Sequence, residues 1–147
     1  MFNKHFSEEI LRSYTLLGSA EEGIKNNPFV EFTSIHIQNA NICTANCVFC
    51  AYSQLIDKKS VMDFDVFKKV VGEYVSLGGD RVYFTPNAGD PLVDPNLIKK
   101  AEYARSIGVN YIGMITNGIL LDRKDVYKEL LTLVDNIGIS LPGFNPE

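Results

Sequence analysis

Apolar residues from Asp63 onward recur first at helical spacing and then at strand-like spacing. A helix is predicted after Asp63 and ends at Gly78 and Gly79, because glycine commonly terminates helices. Its apolar face consists of Val66, Phe67, Val70, Val71, Tyr74 and Val75. The segment from Arg81 to Thr85 follows directly and is rich in β-branched and aromatic residues, which favour a strand.

The same alternation continues to the end of the sequence. Asp94 and Pro95 predict a helix cap followed by proline at the first helical position, and Gly108 ends that helix. Its apolar face consists of Leu97, Ile98, Ala101 and Ala104. Residues 109–116 predict a third strand, residues 122–133 a further helix, and residues 136–140 a fourth strand.

The first part of the chain is less regular. Ser7 followed by two glutamates predicts a capped helix that runs to about Leu17. Residues 1–30 are therefore expected to form an N-terminal helical extension. Residues 31–38 alternate in a strand-like way and predict the first strand of the domain that follows, residues 31–147.

The predicted element order after the extension is βαβαβαβ. This alternation is typical of an α/β fold with a parallel sheet, right-handed crossovers and outer helices. The later strands begin roughly 30 residues apart, which suits βα units. About four parallel strands correspond to a partial (β/α) TIM-like barrel. Either the sheet is small and open, or the core domain is incomplete and belongs to a longer protein. Because ordinary domains cover the unpaired edge of an open parallel sheet, we expect the second.

Composition narrows the functional class only modestly. The chain has 147 residues and a formal net charge of -4. The acidic balance and the lack of a basic block argue against binding to nucleic acid or to an anionic membrane. The first residues lack the apolar region of a secretory signal, so a cytoplasmic location is expected. The lysine doublets at 58–59, 68–69 and 99–100 are expected to be solvated.

Three cysteines form the strongest chemical signal: Cys43, Cys47 and Cys50, spaced Cys-x-x-x-Cys-x-x-Cys, and the sequence has no others. A disulfide framework needs an even number, and a structural zinc site normally needs four ligands. Three thiolates in one loop suit an iron–sulfur cube whose fourth iron stays open. The alternatives are a small module whose thiolates hold zinc or pass electrons, a structural zinc site completed by His36, and three ordinary buried thiols. His36 lies between two strand isoleucines and is expected to be packed or solvated rather than a ligand.

The distinctive loops all follow predicted strands. The cysteine loop follows the first strand, residues 85–91 follow the second, residues 116–118 follow the third, and residues 140–143 follow the fourth. Parallel α/β folds bind ligands at the carboxyl ends of their strands. These four loops are therefore expected to form one site.

The cysteine motif after a first strand resembles the signature of the radical S-adenosylmethionine (radical SAM) superfamily. Residues 88–92, Ala-Gly-Asp-Pro-Leu, resemble the family's Gly-Gly-Glu-Pro stretch, with Ala88 and Asp90 in place of glycine and glutamate. Residues 116–118, Thr-Asn-Gly, resemble a segment found in the subgroup that modifies peptides and proteins. The resemblance extends from about residue 31 to residue 143.

The resemblance implies an enzyme in which Cys43, Cys47 and Cys50 hold a four-iron, four-sulfur (4Fe-4S) cluster. The reduced cluster would cleave S-adenosylmethionine to a 5′-deoxyadenosyl radical, which abstracts a substrate hydrogen atom. An electron donor such as flavodoxin or ferredoxin is implied, and the substrate is an unknown peptide or small molecule.

The resemblance also assigns five residues to the S-adenosylmethionine site. Phe49 is expected near the adenine, and Gly89 at a close approach to the methionine end. Asp90 is expected to accept a hydrogen bond from the ligand's ammonium group. Ser140 is expected to contact the methionine or ribose part, and Asn117 to line the same pocket.

Overall fold

The computed structural model describes residues 34–54, 58–85, 88–123 and 126–141. The expected N-terminal extension, residues 1–30, lies outside the described residues, and so does the end of the last loop, residues 142–143. Both therefore stay predictions.

Strands and helices alternate along the described residues: β1 Ile35–Ile37, α1 Phe64–Ser76, β2 Arg81–Phe84, α2 Leu97–Ser106, β3 Tyr111–Thr116, α3 Val126–Leu133 and β4 Asn136–Ile139. Two short 3-10 helices, Ala51–Gln54 and Pro91–Val93, lie in the loops after β1 and β2. Within these described segments, no helix is both long enough and apolar enough to cross a bilayer.

The four strands form one parallel sheet in the order β1-β2-β3-β4. Val82 of β2 pairs with Ile35 of β1 on one side and with Ile112 of β3 on the other, and Met114 of β3 pairs with Ile137 of β4. Each strand lies beside its predecessor in sequence, as in a (β/α) barrel. The predicted α/β class, with four parallel strands and outer helices, is confirmed.

The core lies between one face of the sheet and the helices. Alternate side chains of β2 and β3 point into it, because successive strand residues face opposite sides. These are Val82, Phe84, Ile112 and Met114, all at most 1% exposed. The ring of Phe67 in α1 stacks on that of Phe84 at a centroid distance of 5.9 Å. The buried residues of α2 and α3, among them Ala101 and Leu130, complete the layer.

The opposite face of the sheet is aromatic and polar. His36 stacks on Tyr83 with ring centroids 4.9 Å apart, and Tyr83 lies 5.5 Å from Tyr111. Nδ1 of His36 also shares a 2.8 Å hydrogen bond with the hydroxyl of Thr85. The ring of Tyr83 leaves no room for a side chain at Gly113, where an added Cβ would lie 2.6 Å from that ring. The expectation that His36 is packed or solvated is confirmed.

One predicted helix start is wrong. Helix α2 begins at Leu97 and its cap residue is Asn96, whose side chain makes no capping bond. Asp94 lies in the preceding turn, where Oδ1 accepts a 2.8 Å hydrogen bond from the backbone N–H of Asn96. Asp94 therefore stabilises the turn before the helix instead of capping it. Its other carboxylate oxygen, Oδ2, accepts a hydrogen bond from Nζ of Lys100.

The expectation that the lysine doublet at 99–100 is solvated is wrong for Lys100. Its side chain is fully buried, and Nζ donates hydrogen bonds of 2.6 Å to Oδ2 of Asp94 and to the carbonyl of Met62. Nδ2 of Asn39 donates to the same Asp94 oxygen at 3.0 Å. A buried charge is tolerated only when it is paired and hydrogen-bonded in this way. The network joins the end of β1, the loop after β2 and helix α2.

A second ion pair joins the amino-terminal edge of the sheet to α2. The Arg105 guanidinium donates to Asp135 and to the carbonyl of Leu133, and Asp135 also accepts a 2.7 Å hydrogen bond from the backbone N–H of Ile112. Partial burial raises the pKa of Asp135, but the Ile112 N–H and the Arg105 guanidinium outweigh it. The net effect holds the pKa of Asp135 below its ordinary value.

We expect Asp135 to make folding stability depend on pH in the acid range. Because the folded pKa lies below the unfolded one, about 3.9, the contribution is present above the unfolded pKa and is lost as pH falls through the folded pKa. Urea unfolding at a series of pH values between about 2 and 6 measures it. Asp135→Asn should give a shallower decline than the unchanged chain, and parallel curves would contradict the assignment.

Candidate functional site

The cysteine loop is closed at its base by backbone pairing. Ala40, just after β1, forms an antiparallel bridge with Val61, just before α1. The N–H of Met62 donates to the carbonyl of Asn39 at 2.8 Å. The segment between these pairs carries all three cysteines. The strand end and the helix start therefore hold the cysteine loop at the carboxyl edge of the sheet.

The three thiols are free and partly exposed. Backbone N–H groups approach two of the sulfurs: Ala45 donates to Sγ of Cys43 and Tyr52 to Sγ of Cys50, both at 3.4 Å. The Tyr52 hydroxyl accepts from the N–H of Cys43 at 3.0 Å. Among the described residues, Sγ of Cys47 accepts no hydrogen bond. The cysteine loop thus places backbone donors beside two of its three sulfurs.

Asp90 connects three of the four loops. Its carboxylate is buried, at 1% exposure of the residue, and accepts from the Thr116 hydroxyl at 3.0 and 2.8 Å and from the N–H of Asn117 at 2.7 Å. It also accepts from the N–H of Leu92 at 3.0 Å, while its own N–H donates to the carbonyl of Ile42. A contact with a ligand's ammonium would have to share these oxygens, and it stays a prediction.

Gly89 lies against the backbone of the cysteine loop. Its φ of +126° is one that other residues rarely adopt, and an added Cβ would lie 2.4 Å from the carbonyl oxygen of Ala40 and 3.0 Å from Cα of Asn41. The glycine therefore serves close packing between the loops after β1 and β2. An approach to the methionine end of a ligand, predicted from the sequence, stays a prediction.

Gly89→Ala should displace the cysteine loop. Backbone strain at positive φ costs about 1–3 kcal/mol, and the clash with Ala40 adds to it. Gly78→Ala is the matched control, because Gly78 has a φ of +93° with no atom within 4 Å of an added Cβ. Urea unfolding and iron uptake should both be impaired more in Gly89→Ala. Equal losses in the two variants would show that contact with the cysteine loop is unimportant.

Asn117 connects the loop after β3 to the cysteine loop. Its Nδ2 lies 3.5 Å from Sγ of Cys43 and 3.5 Å from Oγ1 of Thr44, while its Oδ1 accepts from the N–H of Ile119 at 2.9 Å. The side chain therefore bridges two loops that are distant in sequence.

A cleft of about 420 Å³ opens at this edge of the sheet. This volume lies within the range of small-molecule sites. Every candidate site residue from the sequence lines it: Cys43, Cys47, Phe49, Cys50, Gly89, Asp90, Asn117 and Ser140. Whether these residues bind the cluster and S-adenosylmethionine stays a prediction, but the structure brings all eight together.

The cleft also has lining residues that were not assigned to it from the sequence. Ile115 and Ile119 supply exposed apolar surface and Thr116 a hydroxyl. Because successive strand residues face opposite sides, Ile115 of β3 points away from the helices, like Tyr111 and Gly113. This alternation was the sequence signal that could have assigned Ile115 to the cleft. Phe49 is 70% exposed at the rim. The N–H of Ser140 donates to the carbonyl of Thr116 at 2.8 Å, which continues the β3–β4 pairing to the cleft.

The donor set fits an iron–sulfur cluster. Thiolates are the usual ligands of such clusters, and three free thiols border one cleft here. In the part of the chain that the structure describes, no three His, Cys, Asp or Glu side chains converge on a single metal ion. The irons of a cube occupy separate corners, so its thiolates need not converge on one point.

Comparison with known families and curated proteins gives a consistent result. The profile of the Radical SAM superfamily matches residues 39–147. GTP 3',8-cyclase of Alkaliphilus oremlandii is 30% identical over 119 residues, which is 77% of this chain and 36% of that protein. GTP 3',8-cyclase of Mannheimia succiniciproducens is 22% identical over 120 residues, 79% of this chain and 35% of that protein. The chain thus spans about a third of the length of these relatives.

Solved structures resemble the fold. The crystal structure of BtrN in complex with AdoMet and 2-DOIA has a TM-score of 0.66 at 20% identity, over 79% of this chain and 48% of that one. BtrN in an open conformation has a TM-score of 0.64 at 21% identity, over 76% of this chain and 50% of that one. At this level of identity the likeness concerns the fold.

Proposed function

Because the chain belongs to the radical SAM superfamily, we propose that it forms the part of an enzyme that binds the 4Fe-4S cluster and S-adenosylmethionine. The superfamily identified from the cysteine motif is confirmed. Its cofactors are the 4Fe-4S cluster and S-adenosylmethionine. The observation that carries the proposal is the single cleft that gathers the three thiols and the five residues assigned to S-adenosylmethionine.

The three cysteines of the cleft would hold the cluster, and the other residues would bind S-adenosylmethionine. Cys43, Cys47 and Cys50 would hold three irons and leave the fourth to S-adenosylmethionine. The cluster, when bound, would supply the electron for cleavage of S-adenosylmethionine into methionine and a 5′-deoxyadenosyl radical, and this radical would take a hydrogen atom from the substrate. The protein contributes binding, orientation and exclusion of water.

The remaining lining residues would fix the orientation of S-adenosylmethionine. Phe49 at the rim offers an aromatic face to the adenine, and Ser140 offers a hydroxyl near the end of β4. Gly89 would allow a close approach of the methionine end, Asp90 would accept a hydrogen bond from its ammonium group, and Asn117 would line the same pocket. Ile115 and Ile119 add exposed apolar surface to the cleft, which would limit the access of water to a bound ligand.

The similar proteins favour a small-molecule substrate over a peptide. Two are GTP 3',8-cyclases by name, and the BtrN structure contains 2-DOIA. The narrower resemblance to peptide-modifying members, drawn from the Thr-Asn-Gly segment, has no support from these names. We infer a cytoplasmic enzyme whose reduced thiols suit a reducing compartment, served by an electron donor such as flavodoxin or ferredoxin.

Reductive cleavage tests the proposal. The chain is reconstituted anaerobically with iron and sulfide, reduced with dithionite and incubated with S-adenosylmethionine, and 5′-deoxyadenosine is quantified by chromatography. We expect 5′-deoxyadenosine only when cluster and reductant are both present. Zinc-loaded protein is the control and should form none. A colourless, zinc-containing chain that resists reconstitution would favour a metal-binding module instead.

A further inference from the structure

We infer, on the premise of the proposed function, that Asn117 is a positioning residue whose side-chain N–H donates to Sγ of Cys43 and raises the reduction potential of the cluster. The contact that carries the inference is the 3.5 Å approach of Nδ2 to that sulfur. Hydrogen bonds to cluster sulfurs are one of the means by which proteins set these potentials.

The orientation of the amide is fixed from two sides. Oδ1 of Asn117 accepts the 2.9 Å hydrogen bond from the N–H of Ile119, so this atom is the oxygen and the opposite atom is the donor. The backbone N–H of Asn117 donates to the buried carboxylate of Asp90 at 2.7 Å. Both bonds leave the NH₂ group facing the cysteine loop.

The hydrogen bonds to the three sulfurs are unequal. Within the described part of the chain, Cys43 accepts from the backbone N–H of Ala45 and from Asn117, Cys50 accepts from Tyr52, and Cys47 accepts none. Reduction adds negative charge that the thiolates share. A donor on sulfur would stabilise that charge, so an iron held by Cys43, whose sulfur has two donors, would receive the strongest stabilisation of the three.

One of the two donors to Cys43, the Asn117 side chain, comes from outside the cysteine loop. The Ala45 and Tyr52 donors are backbone groups of the cysteine loop itself, and any sequence of similar conformation retains them. Asn117 is instead a side chain from the loop after β3, which Asp90 holds in place. Its identity therefore gives the protein a means of adjusting the potential without altering the cysteine loop.

Two substitutions separate this role from a structural one. Asn117→Asp keeps the acceptor for Ile119 but replaces the donor by a negative charge, and Asn117→Leu removes the donor without adding charge. Thr44→Val is the matched control, because it removes the other partner of Nδ2 and leaves the sulfur contact.

Spectroelectrochemical titration of the reconstituted chain, without S-adenosylmethionine, measures the midpoint potential, and resonance Raman spectroscopy measures the iron–cysteine stretching bands. Both Asn117 variants should hold the wild-type amount of iron, with a lower midpoint potential and shifted bands. At a fixed potential near the wild-type midpoint, the ratio of reduced to oxidised cluster should fall several-fold. Thr44→Val should match the unchanged chain.

The other outcomes have distinct meanings. Unchanged potential and bands in both Asn117 variants would overturn the inference. Variants that fail to take up iron while the unchanged chain does so would also overturn it and assign Asn117 to assembly of the site. Failure of the unchanged chain itself to take up a cluster would instead contradict the proposed function.

Discussion

Replacing Cys47 with alanine is expected to abolish the cluster and, with it, the proposed cleavage of S-adenosylmethionine. The expected iron content falls from about four per chain to near zero, the broad visible absorption is lost, and 5′-deoxyadenosine falls to background. Two remaining thiolates leave a second iron of the cube without a protein ligand, so the cube is not retained. Iron analysis and absorption spectroscopy after anaerobic reconstitution measure the effect.

Cys47 is the best of the three cysteines for this experiment. Among the described residues its sulfur accepts no hydrogen bond, so its removal should leave the free energy of unfolding of the metal-free chain within about 0.5 kcal/mol of the original. Val48→Ala is the control, since Val48 is fully exposed beside it. A Cys47→Ala chain that still takes up four irons would show that Cys47 is not a ligand.

Replacing Lys100 with methionine strongly destabilises the fold. Without the lysine, the carboxylate of Asp94 stays buried with no cation beside it, which costs about 3–5 kcal/mol. The free energy of unfolding of a typical protein is only about 5–15 kcal/mol. The change also removes the donor to the Met62 carbonyl at the base of the cysteine loop. Urea unfolding of the metal-free chain measures the loss, and a lower iron uptake should accompany it.

The neighbouring residue provides a matched control. Lys99 is exposed in the same helix, so Lys99→Met should change the unfolding free energy by no more than about 0.5 kcal/mol. The double variant Lys100→Met with Asp94→Asn removes both charges and should recover part of the loss. Similar unfolding free energies for Lys99→Met and Lys100→Met would show that the buried pair contributes little.

The sequence was sufficient to predict that the candidate residues meet at one edge, because a parallel sheet brings the loops after its strands together there. Once the strands are identified, their carboxyl ends must meet at one edge. Residues as distant as Cys43 and Ser140 could therefore be assigned to one site, and both line the cleft. The strand and helix periods carried most of this information.

What the sequence did not reveal depends on tertiary contacts. The conformation of Gly89 follows from the backbone of Ala40, and the role of Asp90 follows from Thr116 and Asn117, none of which a local pattern specifies. Lys100 differs, because it is three residues from Leu97 and four from Ala104 and so shares their buried face. Helical spacing therefore indicated that Lys100 is buried, whereas its positive charge alone led to the expectation that it is solvated.

The most direct test of the account is the electron paramagnetic resonance spectrum of the reconstituted, dithionite-reduced chain, recorded with and without S-adenosylmethionine. Three thiolates and one open iron predict the signal of a reduced four-iron cluster whose g values shift when S-adenosylmethionine is added and stay unchanged when adenosine is added. A signal that S-adenosylmethionine leaves unaltered, or a reconstituted chain with no such signal, would contradict the claim that this cleft binds the cluster with an open iron.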